Sequence, residues 1–169
     1  KMTDDLLPNF TSGYYNMNMD EPFELGQGKS KKLCREQGVG EVYLGYALKM
    51  HELATSRNKK LMMWGDIALR HPAILGKIPK DITLLDWGYE SLYPFERNAK
   101  RLDSAGVSFI LCPGTSSWTS ITGRTQNMLD NIEKAAVNAV KYNGKGILVT
   151  DWGDMGHWQY LPVSYAGYA

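Results

Sequence analysis

Ile82-Thr-Leu-Leu-Asp-Trp87, followed by Gly88-Tyr89-Glu90, is the stretch on which the fold turns. An apolar run this short, entered through Pro79, suits a buried strand better than a helix. Downstream, helical spacing over 94–105 stops at Gly106, a residue suited to a helix C-terminus. Val107-Ser-Phe-Ile-Leu-Cys112 is a second short run, stopped by Pro113-Gly114. Upstream, residues 41–57 place Val42, Leu44, Tyr46, Leu48 and Leu53 at helical spacing, and Lys60-Leu-Met-Met-Trp64 reads as a strand. Strand and helix alternate, which predicts an α/β protein with parallel strands.

The same rhythm reaches both ends of the chain. Residues 4–10 read as a helix tail or turn. Gly13-Tyr-Tyr-Asn-Met-Asn-Met19 reads as a first strand ending at Asp20-Glu21, with a polar, Gly-rich loop over 22–32. Residues 124–142 give the longest helical pattern, its apolar side formed by Met128, Leu129, Ile132, Ala136, Val137 and Val140. Gly146-Ile-Leu-Val-Thr150 is a fifth strand running into Asp151-Trp-Gly-Asp154. Five strands with functional groups at their C-terminal ends predict a partial (β/α)8 TIM barrel. A complete barrel takes about 250 residues, so 1–169 is expected to be a single partial catalytic domain lacking its N-terminal strands. An open flavodoxin-like sheet fits the strand count nearly as well, but no phosphate-cradling first turn supports it.

Composition narrows the function. The chain has 169 residues, 43% hydrophobic, and 19 Lys+Arg against 18 Asp+Glu leave a net charge of +1. That balance excludes the basic bias of a non-specific nucleic-acid or membrane-surface binder. No apolar run is long enough to span a bilayer, so neither a nucleic-acid partner nor membrane insertion is expected. Cys34 and Cys112 lack metal or redox spacing and are expected to be free thiols. Gly26-Gln-Gly-Lys-Ser30 fails as a phosphate loop, because Phe23 stands where the first glycine is required. No cluster has zinc spacing, and no cofactor or metal is expected. The N-terminus shows no signal-peptide core, which leaves localisation open.

Laid side by side, the strand ends read Asp20-Glu21, Trp64-Gly65-Asp66, Trp87-Gly88-Tyr89-Glu90, Trp118, and Trp152-Gly153-Asp154. Parallel strands would gather these groups into one pocket. Indole faces pack on the C–H faces of a sugar, and carboxylates accept hydrogen bonds from its hydroxyls. Asp20 and Glu21 are neighbours, so each raises the cost of ionising the other, which suits breaking an acetal. Asp86 and Asp151 each precede a tryptophan and would either point into the pocket or cap a helix. His157 would contact substrate or bond a loop.

On these residues the sequence resembles the catalytic domain of glycoside hydrolase family 20, the β-N-acetylhexosaminidases, from the fourth to the eighth barrel strand. Asp20-Glu21 looks like the family's Asp-Glu pair. Trp64, Trp87 and Trp152 look like its pocket tryptophans, and Asp154 stands where the family has a Glu. The resemblance implies substrate-assisted retaining hydrolysis of terminal β-linked N-acetylhexosamine. Glu21 would be the general acid/base and Asp20 would hold the acetamido N–H. The family's His-x-Gly-Gly is here Asn16-Met17-Asn18-Met19, and its strand-seven Tyr is missing; Trp118 or Tyr89 would supply that donor. A fragment of this kind is expected to be inactive alone and prone to self-association through its open edges. The rival readings are a non-catalytic carbohydrate-binding protein, and a metal enzyme in which Asp20, Glu21, Asp66, Glu90 and Asp154 bracket Mg²⁺.

Overall fold

The computed structural model describes residues 2–121, 123–154, 166 and 168. The helices are α1 (Met2–Leu6), α2 (Lys31–Gln37), α3 (Val39–Thr55), α4 (Asp66–Arg70), α5 (Phe95–Ser104) and α6 (Thr125–Lys141). The strands are β1 (Tyr14–Asn16), β2 (Lys60–Trp64), β3 (Thr83–Trp87) and β4 (Ser108–Cys112). All neighbouring strands are parallel, in the sequential order β1-β2-β3-β4. This is an α/β fold. The order differs from that of a flavodoxin-like sheet, in which the first strand lies inside the second.

The fifth expected strand is reduced to two parallel bridges, Leu111 with Ile147 and Gly114 with Thr150. Leu148 N–H still donates to Leu111 O (3.0 Å) and Thr150 N–H to Pro113 O (2.9 Å), so residues 147–150 follow β4 without a regular ladder. The first strand is also shorter than expected. Asn18 and Met19 take left-handed backbone, with φ of 58° and 73°, which no strand accommodates. α2 and α4 lie where the sequence reads as loop or connection; they have seven and five residues, too short for an apolar period to show.

Side-chain alternation divides the sheet into two faces. Leu61, Met63, Leu84, Phe109 and Leu111 point to the helices, joining Tyr43, Ala47, Phe95, Leu102 and Ala139 in the main core. Trp64, Leu85 and Cys112 form a smaller cluster on the other face, with Met62, Trp87 and Ile110 against it. The sheet curves toward that second face. Lys145 Nζ, in the fifth-strand position, lies 5.5 Å from the ring centroid of Tyr14 on β1. Four strand spacings in a flat sheet would separate these backbones by about 19 Å, more than the two side chains can bridge.

α6 sits in a different rotation from the one its aliphatic residues predict. Its buried residues are Met128, Asn131, Ile132, Ala135 and Ala139, whereas Val137 and Val140 are 57% and 84% exposed. The helix turns Asn131 inward because Gly88 O and Gly114 N–H beneath it need a partner. Cys34 and Cys112 are buried and free.

Candidate functional site

Because the strands are parallel, the segments that leave their C-terminal ends share one end of the sheet. A cavity of about 310 Å³ lies there, lined by Asp20, Glu21, Trp87, Tyr89, Trp118, Trp152 and Asp154. Seven of the eight side chains singled out in the sequence therefore meet. The eighth, Trp64, is 5% exposed and stands behind the wall, with its ring centroid 6.3 Å from Trp152. His157 lies outside the described residues.

Tyr89 organises the aromatic wall. Its ring stacks on Trp87 (centroids 5.4 Å apart, planes at 25°) and meets Trp118 edge-on (4.9 Å, 90°). Both are arrangements that the ring quadrupole favours, each contributing about 0.5–1.5 kcal/mol beyond area burial. Trp152 Nε1–H donates to Tyr89 Oη at 2.9 Å, which ties the last loop to the same ring. Burial pushes the Tyr89 phenol up to about 12, so it stays neutral and keeps its proton. Gly114 permits this crowding, since a Cβ there would lie 2.7 Å from Tyr89 and 2.9 Å from Trp118.

Asp20 and Glu21 reach the same cavity because the backbone turns sharply after β1. Glu21 itself has φ 42°, following the left-handed Asn18 and Met19. Trp64 N–H donates to Asn18 O (2.8 Å) and Trp64 Nε1–H to Asn18 Oδ1 (3.3 Å), so β2 holds the bend. Tyr43 Oη–H donates to Met19 O (3.1 Å), and Glu21 N–H to Asp66 Oδ2 (3.4 Å). Burial raises the Asp66 carboxyl above its ordinary range.

The β3 and β4 loops are held by one polar row on α6 and the residue before it. Asn131, fully buried, donates to Gly88 O (3.0 Å) and Glu90 O (2.9 Å) and accepts from Gly114 N–H (3.0 Å). Asn127 donates to Tyr89 O (2.7 Å) and accepts from Ser91 N–H (2.8 Å). Arg124 forks onto both oxygens of Glu90 at 2.7 and 2.6 Å, which lowers the Glu90 carboxyl below its usual range. Sequence reasoning missed these residues. Their signal was polar side chains at 124, 127 and 131, a spacing of three and four that shares one helical face.

The two acids left open are now placed, and neither lines the cavity. Asp86 alternates with Trp87 and so points to the helix side, where its Oδ1 accepts from Tyr93 Oη–H (2.7 Å) and Asn98 Nδ2–H (3.3 Å). Burial pushes its carboxyl up to about 7. Asp151 accepts from the hydroxyls of Thr115 and Ser117 (2.6 Å for the latter), pinning the Trp152 loop to the β4 loop. Among the described residues, no three His, Cys, Asp or Glu side chains are grouped to hold a metal ion. The Gly26–Ser30 segment satisfies itself, with Ser30 Oγ accepting from Gly26 N–H at 2.9 Å.

Three carboxylates face three indoles and a neutral phenol across a cavity open to solvent. Such a site can stack a pyranose, accept its hydroxyl and amide hydrogens, and deliver a proton. Comparison with protein-family models and with curated proteins gives no match to this sequence.

Proposed function

We propose that this cavity is the substrate site of a glycoside hydrolase that removes terminal β-linked N-acetylhexosamine with help from the substrate's own acetamide. The observation that carries the reading is the convergence of Asp20, Glu21, Trp87, Tyr89, Trp118, Trp152 and Asp154 on one cavity from four separate loops. In this reading the chain supplies the C-terminal part of a (β/α)8 barrel. The sequential parallel order and the curvature that brings Lys145 to Tyr14 support it.

The chemistry assigns one task to each group. Glu21 protonates the leaving glycosidic oxygen as the C–O bond breaks, then takes a proton from the incoming water. The acetamido carbonyl oxygen attacks the anomeric carbon and forms an oxazolinium ring, so no enzyme carboxylate bonds to the sugar. Asp20 accepts the acetamido N–H and balances the positive charge that grows on that ring. Tyr89 is the donor to the acetamido carbonyl. It holds its proton throughout the neutral range. Asp154 accepts from sugar hydroxyls, and the indoles cover the C–H faces.

The test uses the polypeptide that carries these residues together with the preceding barrel units. Wild type and Glu21→Gln are compared on aryl N-acetyl-β-glucosaminide and aryl β-glucoside. The expected result is cleavage of the acetamido sugar only, with kcat lowered about 10²–10⁴-fold in the variant, the usual contribution of a general acid. Equal cleavage of both sugars would remove the acetamide from the mechanism. Sugar binding without cleavage, unchanged in Glu21→Gln, would identify a carbohydrate-binding protein instead.

A further inference from the structure

The segment carrying Asp20 and Glu21 is the most strained backbone around the cavity. Asn18, Met19 and Glu21 all have positive φ, at 58°, 73° and 42°, and none is glycine. Left-handed backbone is uncommon for such residues and persists where the surroundings over-determine it. Two side chains that do not line the cavity contribute to that determination, each from a different element.

Tyr43 of α3 is 3% exposed, and its hydroxyl hydrogen lies between two carbonyls, Met19 O at 3.1 Å and Trp64 O at 3.3 Å. It therefore ties the end of β1 to the end of β2 at the level of the acid pair. Burial, reinforced by the charges of Asp66 and Asp20, keeps this phenol protonated. Asp66, the first residue of α4, has a side chain only 7% exposed, and its Oδ2 accepts the backbone N–H of Glu21. Gly65 N–H donates to Leu85 O at 2.8 Å, which seats Asp66 against β3.

We propose that Tyr43 and Asp66 are positioning residues for the Asp20–Glu21 pair: together they hold the left-handed bend that turns both carboxylates into one cavity. The proposal rests on the reading of Glu21 as acid/base. Without these two contacts the segment relaxes toward extended backbone, in which neighbouring side chains point to opposite faces, so one carboxylate leaves the cavity. Misplacing a reacting group by about 1 Å can cost on the order of a hundredfold in rate.

Three variants test it in the polypeptide used for hydrolysis. Tyr43→Phe keeps the buried ring and removes only the hydroxyl. Asp66→Ala removes the acceptor, whereas Asp66→Asn keeps an oxygen for the Glu21 N–H. Tyr43→Phe and Asp66→Ala should lower kcat roughly ten- to a hundredfold with little change in KM, and Asp66→Asn should recover most of the loss. Unchanged kcat in Tyr43→Phe and Asp66→Ala, or Asp66→Asn as impaired as Asp66→Ala, would overturn the proposal.

A second arm uses the 169-residue chain and needs no activity: amide hydrogen exchange of Glu21, read by NMR. Asp66→Ala should accelerate that exchange about tenfold or more, the effect of breaking a protecting hydrogen bond; an unchanged rate would overturn the proposal. If no glycoside is cleaved by the wild type, the hydrolase reading fails, and the exchange arm still decides whether Asp66 holds the bend.

Discussion

Tyr89 shows how much of the site can hang on one side chain. Its ring contacts two tryptophans and its hydroxyl accepts from a third. Tyr89→Phe keeps the stacking and removes the oxygen, so the two functions separate. A single hydrogen bond contributes about 1 kcal/mol, and in a chain of this length that shifts the melting temperature by about 2–4 °C. We expect a melting temperature lower by that amount in calorimetry. The KM for the acetamido sugar should rise about tenfold, the equivalent of one lost bond to substrate. An unchanged KM would remove Tyr89 as the acetamide donor. Gly114 makes the complementary case: Gly114→Ala would drive a methyl into Tyr89 and Trp118. It should weaken N-acetylglucosamine binding, measured by titration calorimetry, while the fold persists.

At the scale of elements, α6 does two jobs on one face. Met128, Ile132, Ala135 and Ala139 pack against the sheet, and Asn131 among them satisfies three backbone groups of two loops. Removing that amide leaves Gly88 O and Gly114 N–H without this partner, while Glu90 O keeps the Tyr93 N–H, at about 1–3 kcal/mol for each group left unsatisfied. We expect Asn131→Ala to cost about 3 kcal/mol in urea unfolding. Val140→Ala, on the exposed side of the same helix, should cost under about 0.5 kcal/mol. The reversed ranking would return α6 to the rotation its valines predict. That rotation was not legible from periodicity, because Val137 and Val140 are as apolar as any core residue. What settles it is the set of carbonyls beneath the helix, which are distant in sequence.

At the scale of the whole molecule, Asp86 makes stability depend on pH in an unusual direction. An unfolded aspartate titrates near 3.9, whereas burial raises Asp86 to about 7. Between these values the native state binds more protons than the unfolded chain, so this group's contribution falls as pH rises from about 4 to about 7, then levels off. The full span corresponds to a few kcal/mol, on the order of 1.4 kcal/mol per unit of pKa shift. Asp86→Asn keeps the size and abolishes the titration. The difference in unfolding free energy between wild type and variant should therefore change across that window and be flat above it. A constant difference from pH 4 to 8 would mean that Asp86 is not held protonated.

Local pattern alone determined a good deal of this protein. The short apolar runs at 60–64, 82–87 and 107–112 became β2, β3 and β4 within a residue, and the helical spacing at 41–57, 94–105 and 124–142 became α3, α5 and α6. Strand and helix periods are properties of neighbouring residues, so they can be read before any tertiary contact forms. The residues at the strand ends were legible for the same reason, since a parallel sheet delivers every strand's last residues to one end. Tertiary structure decided the rest. The sequence left Asp86 open between the pocket and a helix cap, and the helix layer gave it its partners Tyr93 and Asn98. Asp151 was claimed by Thr115 and Ser117, and Asp66 by the Glu21 N–H. Residues 146–150 read as a strand, yet make only two bridges to β4 and its following loop. Each of these outcomes depends on which buried polar group lacks a partner, and the partner comes from elsewhere in the chain, as far as 45 residues away for Asp66.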